Sequence, residues 1–287
     1  MTNPSLMLIM RLALLGCFWT FSAAVSDDMI KISSAELKDL RPETETVLAF
    51  FTRSSGCSSC AAAADELRSV LPSLGMKTYL VEDGKETAEY ADRVPALVMF
   101  HGHTPVLYEG PMEGDAFAEF VTTNREPRVV ILNDDSFEHL TQAATGSTTG
   151  DWLVMFHGLS CDSCAALEAR LQGVAAKLRN RVMVAKMSSE TDGRETAKRF
   201  GVPPKELQIL FFRQGTMYLY NLKKFDLSSL SAFAVGLYKE APSEPVPSLP
   251  QSPIMLVLQV IAVILVAVYI LMMVLTKKNE QARKKGF

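Results

Sequence analysis

Two segments of this 287-residue chain follow the same pattern, and their first cysteines, Cys57 and Cys161, lie 104 residues apart. Each segment begins with an apolar run typical of a buried strand and continues through a short polar loop to a Cys-x-x-Cys pair. An alanine-rich helical pattern then follows. The segments read VLAFFTRSSGCSSCAAAADEL at residues 47–67 and WLVMFHGLSCDSCAALEARL at residues 152–171. This repeat predicts a tandem duplication of one domain of about 100 residues.

Within each unit, strand patterns alternate with helical patterns, and a hairpin and a helix close the unit. In the first unit we predict strands at 30–32, 47–52, 76–81, 96–101 and 106–108, and helices opening at 33 and spanning 57–70, 86–90 and 115–121. In the second we predict strands at 129–132, 152–157, 182–186, 208–212 and 217–220, and helices at 136–143, 161–178, 193–200 and 227–238. This order predicts an α/β fold with a layered sheet in each unit.

Both ends of the chain carry targeting patterns. Residues 1–26 combine an apolar stretch with a run of small residues and predict a secretory signal peptide, or alternatively an uncleaved signal anchor. Residues 254–275 contain Gln259 as their only strongly polar side chain, which predicts a transmembrane helix. Basic residues follow this helix and none precedes it closely, so we expect a single-pass type I protein with a cytosolic C-terminus.

The segments that flank the predicted membrane helix differ in character. Residues 241–253 contain five prolines, which disfavours sheet pairing and predicts an extended stalk of up to about 40 Å. Residues 276–287 form a basic cytosolic tail in which Lys284 and Lys285 resemble the dilysine signal of endoplasmic reticulum retrieval, read by coat proteins. The alternative is a generic basic stop-transfer tail.

Charge excludes one class of function. Residues 27–275 carry 23 basic and 31 acidic side chains, a net charge of −8. Nucleic-acid-binding surfaces need clustered positive charge, so we expect no nucleic-acid partner.

The chemistry of the chain lies in its cysteines. Cys17 lies in the predicted signal peptide, and the other four, Cys57, Cys60, Cys161 and Cys164, form the two Cys-x-x-Cys pairs. Where a strand leads into a helix, the first cysteine of a pair meets the unpaired N–H groups and the positive end of the helix dipole, which stabilise a thiolate. We therefore predict that the first cysteine of each pair is a nucleophile and that the second resolves the mixed disulfide.

These units resemble thioredoxin domains, and the whole chain resembles membrane-anchored thioredoxin-related members of the protein disulfide isomerase family. The resemblance implies thioredoxin-like domains at 27–125 and 126–240, each a central mixed sheet flanked by helices, and clients with thiols or disulfides in the endoplasmic reticulum lumen. It also implies a cis-proline that faces the Cys pair and helps to hold client, a role that falls on Pro95 with Val94 beside it. It implies no cofactor.

The chain departs from the family pattern around its Cys pairs. Gly56 and Ser160 replace the usual Trp, and Ser58-Ser59 and Asp162-Ser163 replace the usual Gly-His. The buried acid of the preceding strand is replaced by Phe50 or Ala49 in the first unit and by Met155 in the second. Leu207 falls where the second cis-proline is expected. We therefore expect slow exchange and place the better client-binding face in the first unit.

Metal binding is the main alternative reading of these residues. The two Cys pairs are too far apart for a common zinc ribbon, whose pairs are separated by about 15 to 20 residues. His101 and His103 have no nearby acidic or Cys partner. His157 ends a strand close to Cys161, where an imidazole can favour the thiolate, but the favoured interpretation is a plain strand-end histidine. We predict no metal site.

Three classes of function follow. The first is a thiol-disulfide oxidoreductase or isomerase that acts on secretory or membrane proteins, favoured by two complete Cys pairs. The second is a weakly active or redox-inactive membrane-tethered chaperone or adaptor, favoured by the lost Trp, His and buried acid. In the third, the Cys pairs are permanent disulfides of a structural or receptor-like protein.

Overall fold

The computed structural model describes residues 28–39, 45–82, 87–91, 93–146, 149–159, 164–249 and 253–285. The predicted signal peptide and Cys161 lie outside these residues. The described chain forms two mixed sheets flanked by helices, followed by one long C-terminal helix, which confirms the predicted fold class.

The first unit contains five strands in the order β1-β3-β2-β4-β5. Strands β1 and β2 run parallel to β3, whereas β4 runs antiparallel to β2 and β5 antiparallel to β4. The strands are β1 (Ile30–Ile32), β2 (Thr46–Thr52), β3 (Thr78–Glu82), β4 (Ala96–His101) and β5 (Thr104–Leu107), and the helices are α1 (Ser34–Asp39), α2 (Cys60–Leu74), α3 (Thr87–Tyr90) and α4 (Gly114–Thr123). Helices cover both faces of the sheet, and the central strand β2 is therefore apolar almost throughout.

The second unit repeats this topology and adds one strand, in the order β11-β10-β9-β7-β8-β6. The strands are β6 (Val130–Ile131), β7 (Asp151–His157), β8 (Val182–Ser188), β9 (Gln208–Arg213), β10 (Thr216–Leu219) and β11 (Ser243–Pro245), and the helices are α5 (Asp134–Thr141), α6 (Cys164–Lys177), α7 (Arg194–Arg199) and α8 (Leu227–Val235). Short 3₁₀ turns occupy Ala143–Thr145 and Leu237–Glu240.

Local sequence signals account for several element boundaries. The predicted capping box at the start of α1 is present, since the Ser33 N–H donates to the Glu36 carboxylate and the Glu36 N–H donates to the Ser33 hydroxyl. The helix predicted from residue 57 begins instead at Cys60, because Gly56 adopts a φ of +76° and Ser59 is the N-cap. Cys57 therefore lies in the loop before the helix.

The predicted free stalk is partly wrong. Ser243–Pro245 pair antiparallel with β10 as an edge strand, a position that tolerates proline because one side of the strand needs no N–H donors. Farther on, the Arg199 guanidinium donates to the Pro247 carbonyl, with its Nε 3.0 Å away. The first half of the predicted stalk is thus part of the second unit.

The last helix, α9 (Pro253–Lys285), is long and apolar enough to cross a membrane over Ile254–Gln281. Its described side chains are exposed, and none belongs to the apolar core clusters of either unit. One C-terminal apolar helix is therefore available as a membrane anchor.

Replacing Arg199 by alanine is expected to release the docked stalk and to lower the free energy of unfolding by about 1.5 to 3 kcal/mol. The guanidinium also pairs with the Glu138 carboxylate at 2.8 Å, and its side chain is only 12% exposed, so two acceptors lose a charged donor together. Denaturant unfolding and subtilisin cleavage within residues 246–249 measure the two effects. The neighbouring exposed Lys198→Ala is the matched control; unchanged cleavage in the Arg199 variant would contradict this prediction.

Candidate active site

The first Cys pair forms a disulfide at the N-terminus of α2. Cys57 and Cys60 are bonded, with Cα atoms 5.5 Å apart. The Cys60 side chain is buried at 5% exposure, whereas Cys57 is partly exposed and is flanked by exposed Ser58 and Ser59. An incoming thiolate therefore has access to the sulfur of Cys57 and not to that of Cys60.

The surroundings of this pair favour a thiolate on Cys57. The N-cap Ser59 makes no side-chain hydrogen bond to the helix, and the first turn of α2 carries no acidic residue. The unpaired N–H groups of that turn and the helix dipole consequently act on the adjacent sulfur without a competing carboxylate. The Cys57 sulfur also lies 4.0 Å from the Ser59 hydroxyl, a weak polar contact.

The β-sheet under α2 is apolar where the family places an acid. Phe50 is fully buried in the cluster that contains Leu67 of α2, and its neighbour on β3 is Leu80. Ala49 points into the opposite cluster. The described strand β2 thus supplies no carboxylate to carry a proton to or from Cys60.

Pro95 lies beside the end of the strand that leads to this disulfide. Ala96 pairs with Phe51, which places Pro95 alongside Thr52, five residues before Cys57. The Val94–Pro95 peptide bond is cis, as the resemblance implied, and Val94 is half-buried against the core. Their role in holding client stays a prediction.

The equivalent position in the second unit is Leu207. Gln208 pairs with Phe156 as Ala96 pairs with Phe51, so the residue before Gln208 corresponds to Pro95. Leu207 packs against the apolar core of its unit, and among the described residues only Val94–Pro95 is a cis peptide bond. The second unit therefore has an aliphatic side chain where the first has a cis-proline.

The structure describes only one cysteine of the second Cys pair. Cys164 is the first residue of α6, is half-buried and is disulfide-bonded, whereas Cys161, Asp162 and Ser163 lie outside the described residues. The predicted roles of Cys161 and Cys164 as nucleophile and resolving cysteine therefore remain predictions.

Helix α6 packs against both units. Leu167, Leu171 and Val174 enter the core of the second unit, while Ala169 is fully buried in a cluster of the first unit together with Leu107. The small residues on this second face permit close approach. The helix that carries Cys164 is consequently the joint between the two units.

Charged contacts reinforce this joint. The Arg170 guanidinium pairs with the Glu109 carboxylate at 2.8 Å, and the side chains are 11% and 22% exposed. The second oxygen of Glu109 accepts the Leu227 N–H at the start of α8, 2.6 Å away. Glu109 of the first unit thus holds two elements of the second.

An ion pair beside Cys164 was not anticipated. Met155 pairs with Lys186 across the sheet, at the register where the first unit pairs Phe50 with Leu80. The Lys186 ammonium contacts the carboxylate of Glu168, which lies one helical turn after Cys164. In the second unit the carboxylate of Glu168 therefore comes from helix α6, whereas the family places its buried acid on the preceding strand. Lys186 is the only charged residue of β8, and a single charge in an otherwise mostly apolar strand is the sequence signal that could have revealed this ion pair.

A cavity of about 940 Å³ lies between the units and includes Pro95 in its wall. The first unit contributes the segment around Pro95 and the end of β5, and the second contributes one side of α6 and the loop before α8. Tyr108 also lines the cavity. Burial is the main cause that raises the pKa of Tyr108 to about 12, so its hydroxyl stays protonated. This hydroxyl donates a hydrogen bond to the Pro111 carbonyl at 2.5 Å.

His101 and His157 each lie within hydrogen-bond distance of neighbouring polar groups. The two ring nitrogens of His101 lie 3.0 Å from the Thr46 hydroxyl and 2.7 Å from the Asn124 carbonyl, and burial lowers its pKa. His157 Nδ1 lies 3.1 Å from the Gly158 carbonyl oxygen. Among the described residues no group of three or more His, Cys, Asp or Glu could hold a metal ion.

Comparison with curated proteins bears on this arrangement. The chain is 38% identical over 122 residues to a thioredoxin domain-containing protein of Theileria parva. The match covers 42% of this chain and 53% of the relative, so this chain spans about half the length of that curated protein. This chain has thioredoxin-domain homology. No protein-family model matches it.

Three solved structures that are similar to this chain each align with about 70% of its length. ERdj5 form I has a TM-score of 0.39 at 20% identity, covering 72% of this chain and 29% of that chain. The zinc-bound form of human ERp44 has a TM-score of 0.35 at 10% identity, covering 73% and 57%. The first two thioredoxin domains of Naumovozyma dairenensis Eps1p have a TM-score of 0.33 at 13% identity, covering 71% and 95%.

Proposed function

We propose that this protein is a membrane-tethered thiol-disulfide oxidoreductase that exchanges disulfides with secretory or membrane-protein clients in the lumen of the endoplasmic reticulum. The observation that carries the proposal is the Cys57–Cys60 disulfide at the start of α2, with Cys57 accessible, Cys60 buried and Pro95 at the neighbouring strand end. A Cys pair in this setting, within a chain of thioredoxin-domain homology, supports thiol-disulfide exchange.

The exchange conserves electrons at each step. The reduced Cys57 thiolate attacks one sulfur of a client disulfide, and the other client sulfur leaves as a thiolate. The Cys60 thiolate then attacks the Cys57 sulfur of the mixed disulfide, which releases the reduced client and leaves the Cys57–Cys60 disulfide. A client dithiol reverses both steps and is itself oxidised.

The apolar strand β2 supports a slow enzyme. The described strand supplies no carboxylate that could accept the proton of the buried Cys60 thiol before it attacks. Resolution of the mixed disulfide is therefore the step that we expect to limit turnover.

The location in the endoplasmic reticulum is part of the proposal. It is supported by the apolar helix α9, the basic residues that follow its apolar part, and the use of disulfide chemistry, which belongs to oxidising compartments. Retrieval through Lys284 and Lys285, and their recognition by coat proteins, stay predictions.

A chaperone or adaptor role without turnover is the second candidate. Leu207 in place of a cis-proline and the burial of α6 against the first unit both favour a binding or structural role for the second unit. In this alternative the first unit also holds clients without exchanging disulfides with them.

A redox titration separates these candidates. Full-length protein in detergent micelles is equilibrated in glutathione buffers, free thiols are trapped, and each Cys pair is resolved by mass spectrometry. Under the proposed function, Cys57–Cys60 titrates reversibly between about −300 and −150 mV. If this pair stays oxidised throughout and no client thiol reacts with it, the oxidoreductase proposal fails and the adaptor role is favoured.

A further inference from the structure

The cavity between the two units is distinguished by its charge. Five cationic side chains line it, against two carboxylates: Arg93, Arg170, Lys177, Lys223 and Lys224, with Glu109 and Asp226. Residues 27–275 carry a net charge of −8, so the positive charge of this cavity is opposite in sign to the net charge of that region.

Both carboxylates of the cavity are already engaged. Glu109 pairs with Arg170 and accepts the Leu227 N–H. Asp226 caps α8 by accepting the Ser229 N–H at 2.7 Å, a bond that is the main reason why its pKa lies below the usual value. Glu109 is engaged by these contacts, whereas Asp226 also attracts the ammonium of Lys224 electrostatically.

Four of the cations make no close ion pair, although Lys224 is attracted to Asp226. Within the described residues, the side chains of Arg93, Lys177, Lys223 and Lys224 form no salt bridge. Unpaired cations along one concave wall attract anions more strongly than the same charges dispersed over a convex surface. The cavity is therefore an electropositive recess with capacity for several negative charges.

The shape of the recess fits a polypeptide segment. Arg170 and Lys177 are seven residues apart on α6, so the cavity extends about 10 Å along this helix. Its wall also includes Met112 and the 38% exposed ring of Phe225, which offer apolar contact beside the charges. Pro95, in the same wall, adjoins the strand end that leads to Cys57.

We propose that this cavity binds an extended acidic segment of the client, next to the cysteine that is being exchanged at Cys57. The inference rests on the proposed function and adds to it a substrate class: polypeptides in which Asp or Glu residues lie near the reacting cysteine. A chain that passes Pro95 and enters the cavity meets a wall that includes Arg93 of the first unit and the lysines of the second unit. Both units then contribute to one binding site, although exchange takes place in the first.

The test compares two synthetic peptides that each hold one disulfide. One carries four glutamates beside the disulfide and the other carries four glutamines. Full-length protein in phosphatidylcholine nanodiscs, with Cys161 and Cys164 replaced by serine, is assayed for reduction of each peptide, with excess glutathione as the reductant that regenerates the Cys57–Cys60 dithiol. At about 50 mM salt we expect kcat/KM for the glutamate peptide to be about tenfold higher, and at about 500 mM salt we expect the two values to converge.

Substitution of the cavity lysines identifies the surface responsible. The double variant Lys223→Gln, Lys224→Gln is expected to reduce the tenfold ratio to about threefold or less. The matched control Lys198→Gln, Lys239→Gln removes the same charge at exposed positions outside the cavity and is expected to leave the ratio unchanged. The inference is overturned if the protein with unchanged cavity lysines reduces both peptides with nearly equal kcat/KM. It is also overturned if the double variant keeps the tenfold preference for the glutamate peptide. In both cases the proposed function stands.

A binding assay keeps the two proposals distinguishable. If neither peptide is reduced, the proposed function fails. Fluorescence anisotropy with a cysteine-free glutamate peptide then tests whether the cavity binds acidic peptides independently of disulfide exchange. Salt-sensitive binding that the lysine variant weakens supports the cavity; no binding overturns it. Displacement of the peptide by millimolar inorganic phosphate, or stronger association with phosphatidylserine vesicles than with the peptide, also overturns the assignment to a polypeptide.

Discussion

Replacing Cys57 by serine is expected to lower the rate of client disulfide reduction by the first unit by about 10³-fold or more. The serine hydroxyl is not ionised near neutral pH and does not attack disulfides, and the remaining Cys60 is too buried to take its place. The rate is measured in a variant that already carries Cys161→Ser and Cys164→Ser, so that only the first unit can react.

Replacing Cys60 in the same background is expected to give a different result. Cys57 is then free to attack a client, but the mixed disulfide has no internal thiol to resolve it. Non-reducing electrophoresis should show a covalent adduct that reductant dissolves, and Cys57→Ser should abolish this adduct. Ser59→Ala, in the exposed turn between the cysteines, is the control for non-specific disturbance of the loop. Equal trapping by the Cys57 and Cys60 variants would contradict the assignment of Cys57 as nucleophile.

The second large effect is expected at the joint between the units. Ala169→Glu places a carboxylate at a fully buried position between α6 and the first unit, where the described cluster around Leu107 and Ala169 is apolar. An unpaired buried charge costs about 3 kcal/mol or more, and the units can avoid this cost by separating. We therefore expect lower stability and loss of the cavity between the units.

Two measurements follow this separation. Denaturant unfolding gives the change in stability, and trypsin cleavage at Arg125 or Arg128, in the segment that connects the units, reports their separation. Ala232→Glu adds the same charge at an exposed position of α8 and is expected to be nearly neutral. Ala169→Ser, small and uncharged, should be milder than Ala169→Glu. Wild-type stability and cleavage in Ala169→Glu would show that the units are not joined through α6.

Much of the fold was predictable because its signals are local. The apolar runs around Phe50 and Val154 are buried on both faces of their sheets, and such strands read as continuous hydrophobic stretches. The capping pair Ser33 and Glu36 marked the start of α1 correctly, and Leu207 was placed correctly at the register of Pro95 by counting along the strand.

Several features escaped prediction because they depend on partners distant in sequence. The pairing of Ser243–Pro245 with β10 requires an exposed sheet edge next to the stalk, which proline content alone does not reveal. The Glu168–Lys186 ion pair joins a helix to a strand 18 residues away, and only the sheet register places the two beside each other. The residues of the cavity between the units are spread from Ala91 to Ser228.

The duplicated α/β units, their Cys-x-x-Cys pairs and the apolar C-terminal helix follow from the sequence alone, because periodicity, spacing and length are properties of contiguous residues. Three features emerge only in the folded protein: α6 is buried on two sides, Cys60 is buried while Cys57 is accessible, and cations from both units line one recess. Burial and electrostatic potential arise from surfaces that meet only when the chain has folded, and a linear pattern does not specify which surfaces those are.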